Sequence, residues 1–155
     1  MFYNCDVSLL HYSYYRQPSA ILENFKIRLR RIIFLNSIVA TLINIGFISV
    51  LICLRTAFPI LDILLYILTI YSISIFFSVH HVCMYYLLQP YTGELEMKSP
   101  IFAVVGGVVY FVSYMAMQIE GSMVFTIIVL SATLLFSVIA LVLVWKKASS
   151  TFHIR

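Results

Sequence analysis

Four long apolar stretches dominate this chain and leave few architectures open to it. They cover residues 32–54, 60–88, 101–119 and 123–144, and Asp62 is the only Asp, Glu, Lys or Arg within them. A helix needs about 20 residues to cross a hydrocarbon core of about 30 Å. Since 63% of the 155 residues are hydrophobic and 10% are charged, one soluble core cannot bury this much apolar surface. The sequence predicts an integral membrane protein.

Helices are the form these stretches favour. Membrane-spanning strands alternate apolar and polar residues over about 10 positions, and none of the four stretches shows that alternation. The predicted fold is an all-α, multi-pass bundle of four transmembrane helices over residues 32–144. A basic amphipathic tail of residues 1–31 precedes the bundle, and a basic tail of residues 145–155 follows it.

The basic residues predict how the bundle is oriented. They occur before the first span, in the loop after the second span and after the fourth span, whereas Arg55 is alone between spans one and two. Lys and Arg beside spans are retained on the cytosolic side of a membrane. Both termini are therefore expected in the cytosol, or in the matrix of a mitochondrion. The net charge of +4 reflects this arrangement and does not indicate a nucleic-acid partner.

Residues 19–31 carry apolar side chains at helical spacing with cations among them. This pattern predicts a helix that lies on a leaflet of anionic lipids, where each cation near the surface contributes about 1 kcal/mol. The alternative is a plain positively charged flank that ends the first span. The residues expected at the lipid surface are Lys26, Arg28, Arg30 and Arg31.

Small and amide side chains mark two helix faces for packing. Asn36, Ala40 and Asn44 recur every four residues in span one. Small residues let helices approach closely in lipid, and amides can bond across the contact. Span three offers a second face, which we expect to make the closest helix contact of the chain. Its members are Ala103, Gly106, Gly107 and Tyr110.

Span two carries the ionisable residues that a membrane segment rarely contains. Asp62 and His80 are 18 residues apart, which places them on one face and about 27 Å apart. Asp62 is then expected at the outer interface, near enough to Arg55 to pair with it. His80 and its neighbour His81 are expected at the inner interface, where they can bond to headgroups or to another helix.

A metal site is the sharper hypothesis for this end of span two. His80, Cys83 and Met84 share one helical face, and soft ligands of this kind suit copper or zinc. A structural zinc site takes four protein ligands, and the other spans supply no His. The sequence therefore predicts no metal and no cofactor. It also lacks the usual catalytic motifs, so we expect no enzyme activity.

Two family resemblances bear on function. The layout from Lys26 to Lys147, which closes on "VLVWKKASS", resembles MARVEL-type four-span proteins of vesicles and junctions. The segment "VVGGVVYFVSYMAMQIE", residues 104–120, is similar to the glycine-pair helix of subunit 6 of mitochondrial complex I, with Gly106, Gly107 and Tyr114 at matching intervals. The first resemblance implies a membrane organiser, and the second implies a π-bulge within a proton-pumping assembly.

The expected function is contact with other membrane components rather than catalysis. We expect an accessory or scaffold subunit of a larger membrane complex, or a membrane organiser. The alternatives are a subunit of a proton-pumping respiratory complex and a small transporter or channel. The expected partners are other integral membrane proteins and membrane lipids, anionic lipids among them. The organelle is left open between the endomembranes, the plasma membrane and the mitochondrial inner membrane.

Overall fold

The structure is a computed structural model that describes residues 18–55, 59–88, 100–116 and 123–151. These residues form four helices: α1 (Pro18–Leu54), α2 (Ile60–Leu88), α3 (Pro100–Ala116) and α4 (Met123–Thr151). Three of them, α1, α2 and α4, are long and apolar enough to cross a membrane, and α3 is a shorter apolar helix. The prediction of an all-α chain is confirmed for the residues that the structure describes.

α1 is longer than the predicted first span. It runs unbroken for 37 residues, about 55 Å at 1.5 Å per residue, so residues 19–31 continue the same helix. The expected separate helix on the membrane surface is therefore not seen, because no Pro or Gly interrupts this part of α1 and its apolar residues pack on α2 and α4. α4 likewise extends past residue 144 into the predicted basic tail and ends at Thr151.

The turn between α1 and α2 is set by local chemistry. Arg55 follows α1 with a left-handed φ of 51°, and its N–H donates to the carbonyl of Ile52 at 3.2 Å. Pro59 then precedes α2, and its carbonyl accepts hydrogen bonds from the N–H groups of Asp62 and Ile63. Asp62 lies in the first turn of α2, where a carboxylate is favoured by the positive end of the helix dipole.

α2 is the central helix and packs against both α1 and α4. Its contacts with α1 pair residues whose numbers change in opposite directions, as in Asn36 with Ser78 and Phe47 with Tyr66. α1 and α2 are therefore antiparallel. Its contacts with α4 pair residues whose numbers rise together, from Thr69 with Thr126 to Phe76 with Phe136. α2 and α4 are therefore parallel. We refer to α1, α2 and α4 as the three-helix core.

The tightest packing lies at one end of the three-helix core. This end joins the first part of α1 to the last parts of α2 and α4. Tyr86 is 1% exposed and is the largest fully buried side chain, and the ring of Phe25 meets it edge to face with centroids 5.2 Å apart. The other buried apolar residues of this cluster are Ile21, Val79, Val82, Cys83, Tyr85, Ala140 and Val144.

α3 is peripheral. It touches α2 at a few positions only, and large apolar side chains such as Val104 and Phe111 are mostly exposed. The helix is α-helical from Pro100 to Ala116, Gly106 and Gly107 included. The predicted loop with Lys98 and the last predicted residues of span three, 117–119, lie outside the described residues.

Candidate functional site

Hydrogen bonds between polar side chains join the helices of the three-helix core. Asn36 of α1 donates its Nδ2 to the Oγ of Ser78 on α2 at 2.8 Å, and the Oγ of Ser72 donates to the Oγ1 of Thr133 on α4 at 3.0 Å. Two further hydroxyl pairs complete the set. We call these four bonded pairs the polar seam: Asn36 with Ser78, Thr41 with Tyr71, Thr69 with Thr126, and Ser72 with Thr133.

Backbone bonds determine which seam hydroxyl donates. The Oγ1 of Thr41 donates to the carbonyl of Ser37, and a hydroxyl has one proton. The hydroxyl of Tyr71, 2.8 Å from Thr41, is therefore the donor of that pair. Thr69 in the same way donates to Leu65 and accepts from its partner. The hydroxyls of Thr41 and Thr69 thus bond to a neighbouring helix while they also donate to a carbonyl of their own helix.

Asn44 of α1 is a buried polar residue that does not belong to the polar seam. It is 5% exposed, and among the described residues neither its Nδ2 nor its Oδ1 has a hydrogen-bond partner. The three residues of the predicted packing face of α1 therefore have different surroundings. Asn36 bonds to α2, Ala40 is buried at 2% exposed, and Asn44 is buried without a bond.

His80 lies deeper than expected. It was predicted at the lipid interface, whereas it is 4% exposed and lies among aromatic rings. The ring of Phe76 is stacked at 5.9 Å and that of Phe136 lies at 5.7 Å, because α4 packs along this face of α2. Its Nδ1 is buried and has no hydrogen-bond partner in the described part of the chain. His81, one position later, is exposed, and its predicted place at the interface stays a prediction.

The metal hypothesis gains no further ligands from the fold. Cys83 is fully buried and Met84 is half-buried beside it. Neither α1 nor α4 brings a His, Cys, Asp or Glu to this position, and the described residues contain no group of three such side chains that could hold a metal ion. The aromatic rings around His80 instead make a packed contact between α2 and α4.

Basic side chains collect at the tightly packed end of the three-helix core. Lys26 of α1 lies over the ring of Trp145 on α4, with its Nζ 5.0 Å from the centroid. This contact brings the cations of α1 and α4 together. We call this region the basic end, and its described cations are Lys26, Arg28, Arg30, Arg31, Lys146 and Lys147.

Arg28 does not lie at the lipid surface, and that prediction is wrong. It is 8% exposed, and its guanidinium lies 5.9 Å from the ring centroid of Tyr86. The position of Arg28 follows from helix periodicity, since it is three residues after Phe25, which contacts the same ring. A planar guanidinium can pack on an aromatic face while it stays charged. Lys26, Arg30 and Arg31 are exposed.

At the opposite end the only described basic residue is Arg55. Arg55 and Asp62 are both exposed, and among the described residues they form no ion pair. Asp62 belongs instead to the first turn of α2. This end is therefore nearly uncharged compared with the basic end.

The small-residue face of α3 is uncovered. A Cβ added to Gly106 or Gly107 would meet no atom within 4 Å, Ala103 is exposed, and Tyr110 is 74% exposed. Among the described residues, the prediction that this face makes the closest helix contact is therefore wrong. The reason is that the polar seam and the aromatic residues of α2 already bind α1 and α4, and no other described helix is left to make a similar contact with α3.

Sequence reasoning missed most of the residues that join the helices. Ser72, Ser78 and Thr126 looked like ordinary small residues in apolar helices. A detectable signal existed, because Thr69 and Ser72 on α2 are three residues apart, and Thr126 and Thr133 on α4 are seven apart, which in each case is one helical face. The pairing itself depends on which helices are neighbours.

Comparison with known proteins adds no relative. No family model, no curated protein and no solved structure matches this chain.

Proposed function

We propose that this chain is a four-span membrane protein that acts through lateral helix contacts, as an accessory or scaffold subunit or a membrane organiser. The observation that carries the proposal is the contrast between a self-contained three-helix core and an uncovered α3.

The parallel arrangement of α2 and α4 supports a fourth crossing. When two consecutive long helices cross a membrane in the same direction, the chain between them must cross back. Only helices span lipid as single segments, because every backbone polar group needs a partner there. α3 lies in this connection, and its 17 residues extend about 25 Å, close to the thickness of the hydrocarbon core.

Four crossings place the two termini on the same side of the membrane. The positions of the Lys and Arg residues indicate which side that is. The contact of Lys26 with Trp145 joins the first part of α1 to the last part of α4. The basic end therefore combines the cations of both segments, and the opposite end has Arg55. By the bias of Lys and Arg toward the cytosolic side, the basic end faces the cytosol or the matrix.

Cysteine labelling in sealed membranes tests this topology. In a chain without native cysteines, a cysteine at Lys146 should react only from the cytosolic or matrix side, and one at Ser122 only from the opposite side. Lys98, in the connection between α2 and α3, should label from the same side as Lys146. Labelling of Ser122 and Lys98 from the same side would contradict the return crossing of α3.

The open face of α3 supports lateral contact as the function. Lipid gives helices no hydrophobic drive to associate, so helices meet where small residues allow close backbone approach. Ala103 and Gly107, four residues apart, form such a face, and within the chain it is uncovered. Another membrane protein that packs a helix on this face would make contacts that α3 does not make with the other described helices of its own chain.

Replacing a glycine with leucine on α3 and, as a control, on α1 tests whether α3 makes a contact with a partner protein. Gly107→Leu should remove the chain from its complex, because a larger side chain in a close contact costs about 1 to 3 kcal/mol, which is about a 5- to 150-fold loss of affinity. The measurement is the mass of the native complex in mild detergent. Gly46→Leu on α1 is the matched control, since a Cβ there also meets no atom within 4 Å.

The comparison of the two variants decides the outcome. We expect Gly46→Leu to assemble like the natural chain and Gly107→Leu to migrate at a lower mass. Equal assembly of the two variants, or a natural chain that purifies as a monomer, would contradict a contact function through α3.

A further inference from the structure

The basic end holds a feature that the proposed topology does not by itself explain. α1 and α4 both pack on α2 and touch each other less, yet Lys26 and Trp145 meet across the space between them. Both side chains remain accessible, since Lys26 is exposed and Trp145 is 63% exposed. A cation and an indole ring are thus presented together on the outer surface of the bundle.

The charges around this pair are mainly positive, since Glu23, three residues before Lys26 on the same side of α1, is outnumbered by cations. Arg30 is four residues after Lys26 and therefore lies on the same side of α1, and Lys146 follows Trp145 on α4. All three cations are exposed. Glu23 is the only acidic side chain among the residues described at this end. The surface is therefore complementary to a negatively charged ligand.

The position of the surface decides which ligand reaches it. Lys26 and Arg30 lie directly before the apolar part of α1, and Trp145 lies directly after that of α4. Trp rings favour the headgroup level of a bilayer. A ligand at this level meets the protein from within the leaflet, and the anion present at this level is a phospholipid headgroup.

We propose that Lys26, Arg30, Trp145 and Lys146 form a binding site for the headgroup of an anionic phospholipid in the cytosolic or matrix leaflet. Lys26, Arg30 and Lys146 bind the phosphate, and the ring of Trp145 packs against the glycerol and upper acyl region. This inference depends on the proposed membrane topology and names a lipid partner for it. It replaces the broad basic surface expected from the sequence, since Arg28 is buried and has no place in the site.

Trp145 provides its own readout, because the chain contains one Trp. The full chain is reconstituted in vesicles of phosphatidylcholine, with increasing fractions of phosphatidylglycerol or phosphatidylcholine whose acyl chains are brominated. Brominated lipid quenches an indole that it contacts. We expect phosphatidylglycerol to quench Trp145 at several-fold lower mole fraction than phosphatidylcholine does.

Charge removal at matched positions separates a site from a general field. Lys26→Gln and Arg30→Gln should each reduce the preference for phosphatidylglycerol about fivefold, the factor that corresponds to about 1 kcal/mol per cation near the surface. Arg31→Gln removes the same charge from the same turn, about 140° around the helix from Lys26, and should change the preference less than twofold. Each variant is compared with itself in the two lipids, so a direct effect of Lys26 on the fluorescence cancels.

Three outcomes would overturn the site. Equal quenching by the two lipids would show that no anionic lipid is preferred. An effect of Arg31→Gln as large as that of Lys26→Gln would show a diffuse charge effect instead of a site. Inhibition of the preference by millimolar inorganic phosphate would assign the site to a soluble anion. Failure of the topology is recognised separately by the labelling of Lys98 and Ser122 in sealed membranes, a measurement that does not depend on which lipid quenches Trp145.

Discussion

α2 and α3 are both apolar helices of one chain, and their surroundings are opposite. The second half of α2 holds most of the buried residues of this helix, with Val82 and Cys83 at 0% exposed. α3 leaves Val104, Phe111 and Tyr110 more than half exposed. The amount of apolar surface does not explain the difference, because α3 is at least as rich in apolar residues.

The difference lies in which side chains can bond or fit across a contact. α2 buries Ser72, Ser78 and Tyr86, whereas its Leu61 and Leu64 are exposed. In lipid an exposed Leu costs nothing, since the acyl chains are as apolar as a protein interior. Hydroxyls, amides and aromatic rings gain hydrogen bonds and close packing only from another helix. α2 has partners for such groups on both sides, and among the described residues α3 has none.

The largest test of this contrast replaces one tyrosine on each helix. Tyr86→Ala should destabilise the chain by about 3 kcal/mol, because it empties the largest fully buried side-chain site and removes the contacts with Phe25 and Arg28. Tyr110→Ala on α3 should change stability by less than about 0.5 kcal/mol, because that ring is 74% exposed. Reversible unfolding of the purified chain in mixed micelles measures both. A similar loss in the two variants would show that α3 is packed against the core.

A smaller test compares two asparagines on one face of α1. Asn36→Leu should destabilise the chain by about 0.6 kcal/mol, the usual worth of one hydrogen bond between membrane helices, because it removes the bond to Ser78. Asn44→Leu should instead stabilise the chain by about 1 kcal/mol, because the buried amide has no partner and leucine has a similar size. The same unfolding measurement gives both values. A loss of stability in Asn44→Leu would show that a bound water or another group satisfies this amide.

The predicted and observed helices agree where the local sequence alone decides. α2 has the predicted bounds, and α1 ends and α4 begins at the predicted residues, Leu54 and Met123. Long apolar runs and a proline at position 59 are local signals. The predicted start of the first helix is wrong, because α1 continues through the charged residues that precede the apolar stretch. Residues 19–31 were assigned to a separate tail because cations follow one another there, whereas Ile21 and Phe25 hold that segment in the bundle.

The sequence by itself determined that this chain is helical and suited to a membrane, since the length and apolarity of its segments are local properties that follow from hydrocarbon thickness and backbone hydrogen bonding. Tertiary structure alone decided which side chains are inside. Arg28 is buried because Tyr86, far along the chain, lies opposite it, and Gly107 is open because none of the four described helices lies opposite it. In a lipid solvent hydrophobicity does not distinguish inside from outside, so burial depends on which partners the fold brings together.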